Sequence, residues 1–319
     1  MIVVSHLQNV ANDRSLVALL EGVDVAVAGG GDELLANAAI QTSAVDPVAA
    51  CTAAFNQPIV NTEVVLNTAR GSNTTTSKGN RTAETNTGNT VTDAYLAAYD
   101  NYGPAAGLPA RGPANPVVAV QNGGGIRDNA GPALPVGGVA PGEVTRKNTL
   151  DTLAFFTNLL TVVNDVTPTE LEEILERSAA SLPGAGGQFL QVGGMKVTYK
   201  ASNTAQVFTS GAVTTPGNRV VSVELPDGTK IVDAGAVVPG APSVRIVTNS
   251  FTAEGGNNFT TLANTPAADR VNVGSTYEAV WVEYLQSLAA GTPGGLPSRP
   301  TITAAQYPVA GEGRIVVTP

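Results

Sequence analysis

Residues 117–127, Val-Val-Ala-Val-Gln-Asn-Gly-Gly-Gly-Ile-Arg, join a short apolar run to a glycine-rich segment. The run Val117–Val120 follows a connection rich in glycine and proline, and most of its residues are β-branched, which is typical of a buried strand. The three consecutive glycines after it are typical of a turn. The stretch therefore predicts a buried strand that ends at a glycine-rich turn.

Segments on both sides of this stretch carry strand and helix patterns in mixed order. Strands are predicted at Ile59–Asn67, Leu159–Val163, Val192–Tyr199, Arg219–Glu224 and Val244–Asn249. Helices are predicted at Gly88–Tyr99, Thr167–Ser178 and Tyr277–Leu288. Thr167 is a suitable cap for the second helix, and Pro168 suits its first position. Because these elements are intermixed without an internal repeat, they predict a mixed α/β (α+β) fold.

Composition excludes several classes of protein. Hydrophobic residues make up 43% of the 319 residues and the net charge is only −9, so the chain as a whole is expected to fold. With 17 basic against 26 acidic residues, we expect no nucleic-acid partner. No run of 18 apolar residues is present, so no membrane span is predicted. The low charged fraction of 13% favours a loop-rich secreted or surface protein.

The N-terminal segment predicts a short strand–helix–strand unit. Ile2–Val4 and Val25–Ala28 are apolar runs, and leucines at helical spacing lie between them. An alanine-rich segment, 33–56, is predicted to be helical. The single cysteine, Cys51, excludes an internal disulfide, and the single histidine, His6, excludes a metal site that needs two imidazoles. No basic residue precedes the first apolar run, so we expect no signal peptide in this chain.

Four segments together resemble one known family. They are Glu84–Asn89, Asn122–Arg127, Phe189–Gly194 and Asn249–Phe259, with sequences ETNTGN, NGGGIR, FLQVGG and NSFTAEGGNNF. In this order and spacing they resemble the C-terminal, substrate-binding domain of the 5'-nucleotidase family. The resemblance covers residues 57–319 and implies a layered α/β/β/α arrangement for them. For the residues before 57, the resemblance implies a metallophosphatase-like βαβ remnant, 1–35, and a helical linker, 36–56.

The N-terminal segment resembles the last βαβ unit of the same family's metallophosphatase domain. In that unit the strand-end histidine, matched by His6, is a metal ligand. The family's next turn carries two histidines, whereas this sequence has Gly30-Gly31-Asp32-Glu33 there. A two-metal site needs several carboxylate and imidazole ligands around cations about 3.5–4 Å apart. We therefore expect divalent metal ions in the intact family enzyme, but neither a cofactor nor a catalytic residue in this chain.

The resemblance also implies a nucleotide site in the C-terminal domain. Two phenylalanines of the family stack on the nucleobase, and arginines and polar groups hold the ribose and phosphate. Stacking on an aromatic ring tolerates any base, and arginine binds oxyanions through two parallel hydrogen bonds. The substrate-binding positions implied here are Arg81, Asn122, Gly125, Arg127, Phe156, Asn158, Phe251 and Asn257.

Two departures from the family pattern affect this assignment. Phe155 replaces the proline that usually precedes the first stacking residue, so Phe155 is an alternative to Phe156 in that role. Asn257 stands where the family usually has aspartate, and an amide cannot carry a negative charge. Base or ribose preference is therefore expected to differ from the family's usual one.

Two functions from different classes are consistent with these residues. The first is the nucleotide-binding domain of a hydrolase of nucleoside 5'-monophosphates, with a nucleoside or nucleotide as ligand. The second is a non-catalytic structural or interaction protein of the cell envelope, with envelope proteins as partners. The low charge and the long Gly/Pro/Asn/Thr loops suit the second role. For both functions we expect an extracellular, periplasmic or cell-envelope location.

Overall fold

The computed structural model describes Ile2–Ser5, Val25–Ala28 and residues 52–319, in a chain that divides into units 1–52 and 53–319. In the first unit, β1 (Ile2–Ser5) and β2 (Val25–Ala28) pair in parallel, with Ile2 opposite Val25. Both predicted strands are thus confirmed. The helix predicted between them, nearly all of the predicted linker helix, and the candidate metal ligand His6 lie outside the described residues.

The second unit is built from many short strands and several α-helices. Its first strands are β3 (Pro58–Thr62), β4 (Leu66–Asn67), β5 (Val117–Asn122), β6 (Ala133–Leu134), β7 (Gly142–Thr145), β8 (Leu159–Val166), β9 (Leu190–Gly193), β10 (Lys196–Lys200) and β11 (Val207–Thr209). The later strands are β12 (Ala212–Thr215), β13 (Val220–Glu224), β14 (Lys230–Asp233), β15 (Ala236–Val237), β16 (Val244–Asn249), β17 (Arg270–Thr276), β18 (Ala290–Gly291), β19 (Arg299–Ile302) and β20 (Ile315–Thr318). The helices are α1 (Asn86–Tyr102), α2 (Arg146–Thr152), α3 (Pro168–Ala179), α4 (Ser250–Ala253), α5 (Thr260–Ala263) and α6 (Tyr277–Ser287).

These strands form mixed sheets, which confirms the predicted mixed α/β class. The central sheet has the order β17-β8-β16-β5-β9, and a second five-stranded sheet has the order β15-β14-β13-β10-β20. A four-stranded sheet, β18-β19-β3-β7, and two strand pairs complete the unit. The central sheet is mixed, because β16 runs parallel to β5 but antiparallel to β8. No helix in the described part of the chain is long and apolar enough to cross a membrane.

Both faces of the central sheet are buried, which explains the continuous apolar run in β5. Successive side chains of a strand point to opposite faces. Val118 and Val120 belong to the core shared with α3 and the second five-stranded sheet. Val117 and Ala119 belong to the other core, which contains α1 and α6. A strand covered on both sides is hydrophobic throughout, as the apolar run predicts for this stretch.

Two sequence-based expectations need correction. The predicted strand Val192–Tyr199 is wrong as a single element, because β9 and β10 belong to different sheets. Gly194 lies between them with φ +70°, a left-handed conformation that ends the first strand. The predicted strand Ile59–Asn67 is likewise two strands, β3 and β4. The predicted helix start at Thr167 is confirmed, since its side chain accepts a hydrogen bond from Glu170 N–H in a capping box.

Several strands of the central sheet begin or end at the same edge of the sheet. The parallel strands β5 and β16 end there, at Asn122 and Asn249. The antiparallel neighbours β8 and β9 begin there, with Leu160 opposite Asn249 and Leu190 opposite Asn122. The loops that carry the family-like segments therefore meet at this edge.

Two of these segments, Glu84–Asn89 and Phe189–Gly194, are joined by a buried hydrogen-bonded cluster around Gln191. Its Oε1 accepts a bond from the backbone N–H of Thr85, and its Nε2 donates to the backbone oxygens of Asn80 and Ala83. Gly88 packs on the same side chain, since a Cβ placed there would lie 2.3 Å from Gln191 Oε1. The cluster holds the start of α1 against β9.

The C-terminal segment is attached to the same region. Strand β20 pairs in parallel with β10 in the second sheet. The carboxylate of Glu84 accepts bonds from the backbone N–H groups of Glu312 (2.6 Å) and Ile315 (3.1 Å). Glu84 Oε1 also accepts a bond from Asn89 on α1. One carboxylate therefore links the first turn of α1 to the end of the chain.

We expect Gly88→Ala to lower the free energy of unfolding by about 1–3 kcal/mol, because the new methyl group overlaps Gln191. This opposes the gain in helix propensity, which is about 1 kcal/mol for such a change. Chemical denaturation measures the difference. Gly112→Ala is the control, since Gly112 is exposed and no atom lies within 4 Å of a Cβ there. Equal stability of the two variants would contradict the packing role of Gly88.

Candidate functional site

Phe251 lies at the sheet edge, in the short helix that begins where β16 ends. Asn249 caps that helix, and its Oδ1 accepts a 3.0 Å bond from Thr252 N–H. The Phe251 side chain remains 44% exposed. Its ring rests on Gly256, where a Cβ would come within 2.4 Å of Cε1 of the ring. Any side chain at Gly256 would therefore displace the aromatic ring.

A pair of exposed aromatic rings precedes β8 at the same edge. Phe155 is 48% exposed and Phe156 is 61% exposed. Tyr277 fixes this loop at two points, since its hydroxyl accepts a 2.9 Å bond from Phe155 N–H and its N–H donates to Asn158 O. A bond from Leu159 N–H to Ser250 Oγ (3.2 Å) ties the start of β8 to α4. The loop with Phe156 and the helix with Phe251 are thus neighbours.

The two residues considered for the first stacking position differ in their contacts. The Arg127 guanidinium lies 5.7 Å from the Phe155 ring centroid, in a cation–π contact. Phe156 is the more exposed ring, and no aromatic pair or cation–π contact involves it in the described part of the chain. Phe155 is therefore occupied by the protein itself, which favours Phe156 as the ring available to a ligand.

Arginines form a positively charged patch beside this loop. Arg127 follows the NGGG turn, and its Nη1 makes a 3.3 Å bond to Gly124 O. The pKa of Arg81 is lowered mainly by burial of its side chain. The nearby charges of Arg70 and Arg127 lower it further. Among the described residues, the buried Nε of Arg81 has no hydrogen-bond partner. Arg70 itself pairs with Asp128 at 2.9 Å. Three arginines and one carboxylate leave a net positive charge suited to an anion.

Sequence reasoning missed Arg70 and Asp128 in this patch. Arg70 is 58 positions from Asp128 along the chain, and neither lies in a segment that resembles a family contact. No local pattern signals the pair, because the fold alone brings the two residues together.

Side-chain amides line the centre of the edge. Asn122 donates from Nδ2 to Asn257 Oδ1 at 3.0 Å. Gly125 packs directly on these groups, since a Cβ there would lie 2.3 Å from Gln121 Nε2 and 2.8 Å from Asn122 Oδ1. The structure thus places all eight sequence-predicted residues in the strand ends and loops at one edge of the central sheet. Their role in binding a substrate stays a prediction.

Within Ile2–Ser5, Val25–Ala28 and residues 52–319, no three His, Cys, Asp or Glu side chains are grouped to hold a metal ion. The sequence-predicted candidates His6, Asp32 and Glu33 lie outside these ranges. The described residues therefore do not fit a two-metal site.

Comparisons with known proteins agree on the family. The family described as 5'-nucleotidase, C-terminal domain, matches residues 58–264. The trifunctional nucleotide phosphoesterase protein YfkN of Bacillus subtilis is 29% identical over 210 residues, which are 65% of this chain and 12% of that protein. The chain thus spans about an eighth of this relative's length.

Two solved structures share the fold. The 5'-nucleotidase precursor from Thermus thermophilus matches with a TM-score of 0.60 and 26% identity, over 85% of this chain and 41% of that one. The NAD nucleotidase of Haemophilus influenzae matches with a TM-score of 0.54 and 13% identity, over 85% of this chain and 40% of that one. In both cases this chain corresponds to about two fifths of the longer protein.

Tyr277→Phe is expected to loosen the aromatic loop while leaving its packing intact. The change removes the acceptor of Phe155 N–H, so amide exchange at Phe155 should accelerate several-fold, and stability should fall by about 1 kcal/mol. Hydrogen exchange followed by NMR measures this. The control is Tyr284→Phe on the same helix, which loses the hydroxyl contact with Tyr307 instead. Unchanged exchange at Phe155 in Tyr277→Phe would contradict the anchoring role of Tyr277.

Proposed function

This chain belongs to the 5'-nucleotidase family, and from that membership we propose that residues 57–319 bind the nucleoside 5'-monophosphate substrate of a phosphoester hydrolase. The observation that carries the proposal is the pairing of exposed aromatic rings with an arginine patch at one sheet edge. A nucleotide has the matching parts, which are a flat aromatic base and an anionic phosphate.

The base stacks between Phe156 and Phe251 in this proposal. Both rings are exposed, although burial of a phenylalanine side chain is favourable by about 1.5–3 kcal/mol. A ligand that covers them recovers part of that energy. Stacking contributes about 1–3 kcal/mol per base on each ring and is insensitive to base identity. Their positions beside paired strands support a site with two walls, one on each loop.

The phosphate end faces Arg81 and Arg127 in this proposal. Both guanidinium groups keep unused donors, since Arg127 makes only one long side-chain bond and Arg81 Nε makes none within the described residues. Charge-assisted bonds from arginine to phosphate are about twice as strong as neutral hydrogen bonds. Asn122, Asn158 and Asn257 supply further polar groups for the ribose or the base.

The role of these residues is to bind and orient the substrate. In the intact family enzyme, divalent metal ions bound outside the described residues would supply the hydrolytic chemistry. This chain's described residues contribute position and charge, and the scissile phosphate is presented to groups elsewhere. We place the intact protein outside the cell or in its envelope.

A non-catalytic envelope role is the second candidate. Val136 and Val139 are 61% and 72% exposed on one loop rich in glycine and proline, which favours contact with another molecule. If the purified chain bound no nucleoside, this function would be favoured over the first.

Adenosine and AMP are expected to bind with a Kd on the order of 0.1–1 mM, which corresponds to the roughly 4–6 kcal/mol that two stacking faces contribute at the upper end of their range. Phe251→Ala and Phe156→Ala should each weaken binding by about five- to a hundredfold. Titration by NMR or calorimetry measures this. Phe155→Ala is the control and should have the smaller effect, because that ring contacts Arg127. Parent-like affinity in Phe251→Ala would rule out stacking.

The purified chain is expected to show no metal-dependent phosphatase activity by itself. It has one histidine, and the described residues group no three metal ligands. The assay uses AMP and a chromogenic phosphate ester with added Zn²⁺, Mn²⁺ or Co²⁺. Turnover above background that disappears in His6→Ala would overturn this expectation.

A further inference from the structure

Phe155 lies between the candidate base-stacking ring Phe156 and the arginine patch. The Arg127 guanidinium carbon lies 5.7 Å from the centroid of its ring, within the range of a cation–π contact. The ring is 48% exposed, so the contact lies at the open surface of the site. A ligand at this edge can therefore reach the guanidinium that the ring holds.

The main chain of Phe155 is fixed on both sides of its ring. Phe155 N–H donates to the Tyr277 hydroxyl at 2.9 Å, and Phe155 O accepts a 2.9 Å bond from Asn158 N–H. Tyr277 is fully buried in the core that contains α6, so its hydroxyl is a rigid anchor. The ring of Phe155 can therefore move only by rotation about its own side-chain bonds.

Arg127 is attached to the same part of the chain through its backbone. Its N–H donates to Thr152 O at 2.8 Å, at the end of α2 and just before the aromatic loop. In the described part of the chain, its side chain makes one hydrogen bond, from Nη1 to Gly124 O at 3.3 Å. One long bond leaves an arginine side chain considerable rotamer freedom. The Phe155 ring supplies the second constraint.

The kind of contact determines what Arg127 can still bind. Arg70, in the same patch, donates from Nε to Asp128 at 2.9 Å, so a carboxylate occupies one of its donors and neutralises its charge. The Phe155 ring is neutral, and it attracts the guanidinium as a whole without requiring an N–H to point at an acceptor. Arg127 is therefore held in place while its charge and most of its donors remain available to an anion.

We propose that Phe155 is a positioning residue that holds the Arg127 guanidinium toward the phosphate of a bound nucleotide, and thereby increases the preference for a nucleotide over a nucleoside. A proline at this position, as in the family pattern, has no ring for such a contact. This inference rests on the proposed function, because it assumes that Arg127 faces the phosphate.

The experiment compares AMP with adenosine, because these ligands share the base and ribose and differ only in the phosphate. Phe155→Leu removes the ring but keeps an apolar side chain at a half-exposed position, and Phe155→Tyr restores a ring that can make the cation–π contact. Phe156→Leu is the matched control, since it makes the same change on the neighbouring ring. Dissociation constants are measured by calorimetry or NMR, and the thermal transition of each variant checks its folding.

In Phe155→Leu, the ratio of AMP affinity to adenosine affinity is expected to fall about two- to fivefold, which is the contribution of a cation–π contact at an exposed site. Adenosine should bind as it does to the parent, and Phe155→Tyr should keep the parent ratio. Phe156→Leu should weaken both ligands by the same factor. An unchanged ratio in Phe155→Leu would overturn the inference, as would equal weakening of both ligands. If Phe155→Leu does not fold, Phe155→Ala decides by the same ratio.

A double-mutant cycle tests whether the effect passes through Arg127. In an Arg127→Ala background, Phe155→Leu should no longer change the ratio, because the group that the ring positions is absent. A fall of the same size in that background would overturn the inference. The Nε–H resonance of Arg127 gives a readout without ligand, since the ring current should shift it in the parent and in Phe155→Tyr but not in Phe155→Leu. The same resonance position in Phe155→Leu as in the parent would contradict the contact.

The proposed function and this inference fail in different ways. If the parent binds neither adenosine nor AMP, the proposed function fails and the role of Phe155 fails with it. If the parent binds both and Phe251→Ala weakens that binding, the proposed function holds. An unchanged ratio in Phe155→Leu then overturns the role of Phe155 alone.

Discussion

The register of β16 with its two neighbours is the constraint on which the rest of the site depends. The strand is parallel to β5 and antiparallel to β8, so two strand ends and one strand start lie at the same edge. A shift of one residue would turn every buried side chain to the opposite face. Because both faces of the sheet are packed, such a shift is strongly disfavoured. The loops at the edge are therefore placed by core packing rather than by their own sequences.

Local patterns predicted those elements whose bounds are marked in the sequence itself. The bounds of β16, Val244–Asn249, follow from its apolar run, and the start of α3 follows from Thr167, Pro168 and Glu170. Where a pattern spans a turn, the prediction failed. Gly194 lies within an otherwise strand-like run, and its left-handed backbone, packed against β5, separates β9 from β10.

The residues of the candidate site also fall into two groups, those that a local motif predicted and those that it missed. Residues in the family-like segments, such as Phe251 and Asn122, were identified because each segment carries its own motif. Arg70 and Tyr277 were missed, because their roles arise from contacts across long stretches of chain. Arg70 pairs with a residue 58 positions away, and the Tyr277 hydroxyl bonds to one 122 positions away. No periodicity or composition encodes such pairs.

The carboxylate of Glu84 has a consequence for how the protein is made. Its two backbone partners follow it by 228 and 231 residues, so they leave the ribosome long after α1 has been synthesised. Until then its partner is Asn89, at the first turn of that helix. Closing so long a loop is entropically costly and is characteristic of slow folding. The nascent chain therefore depends on the segment from Glu312 to Ile315 to complete the region that carries the candidate site.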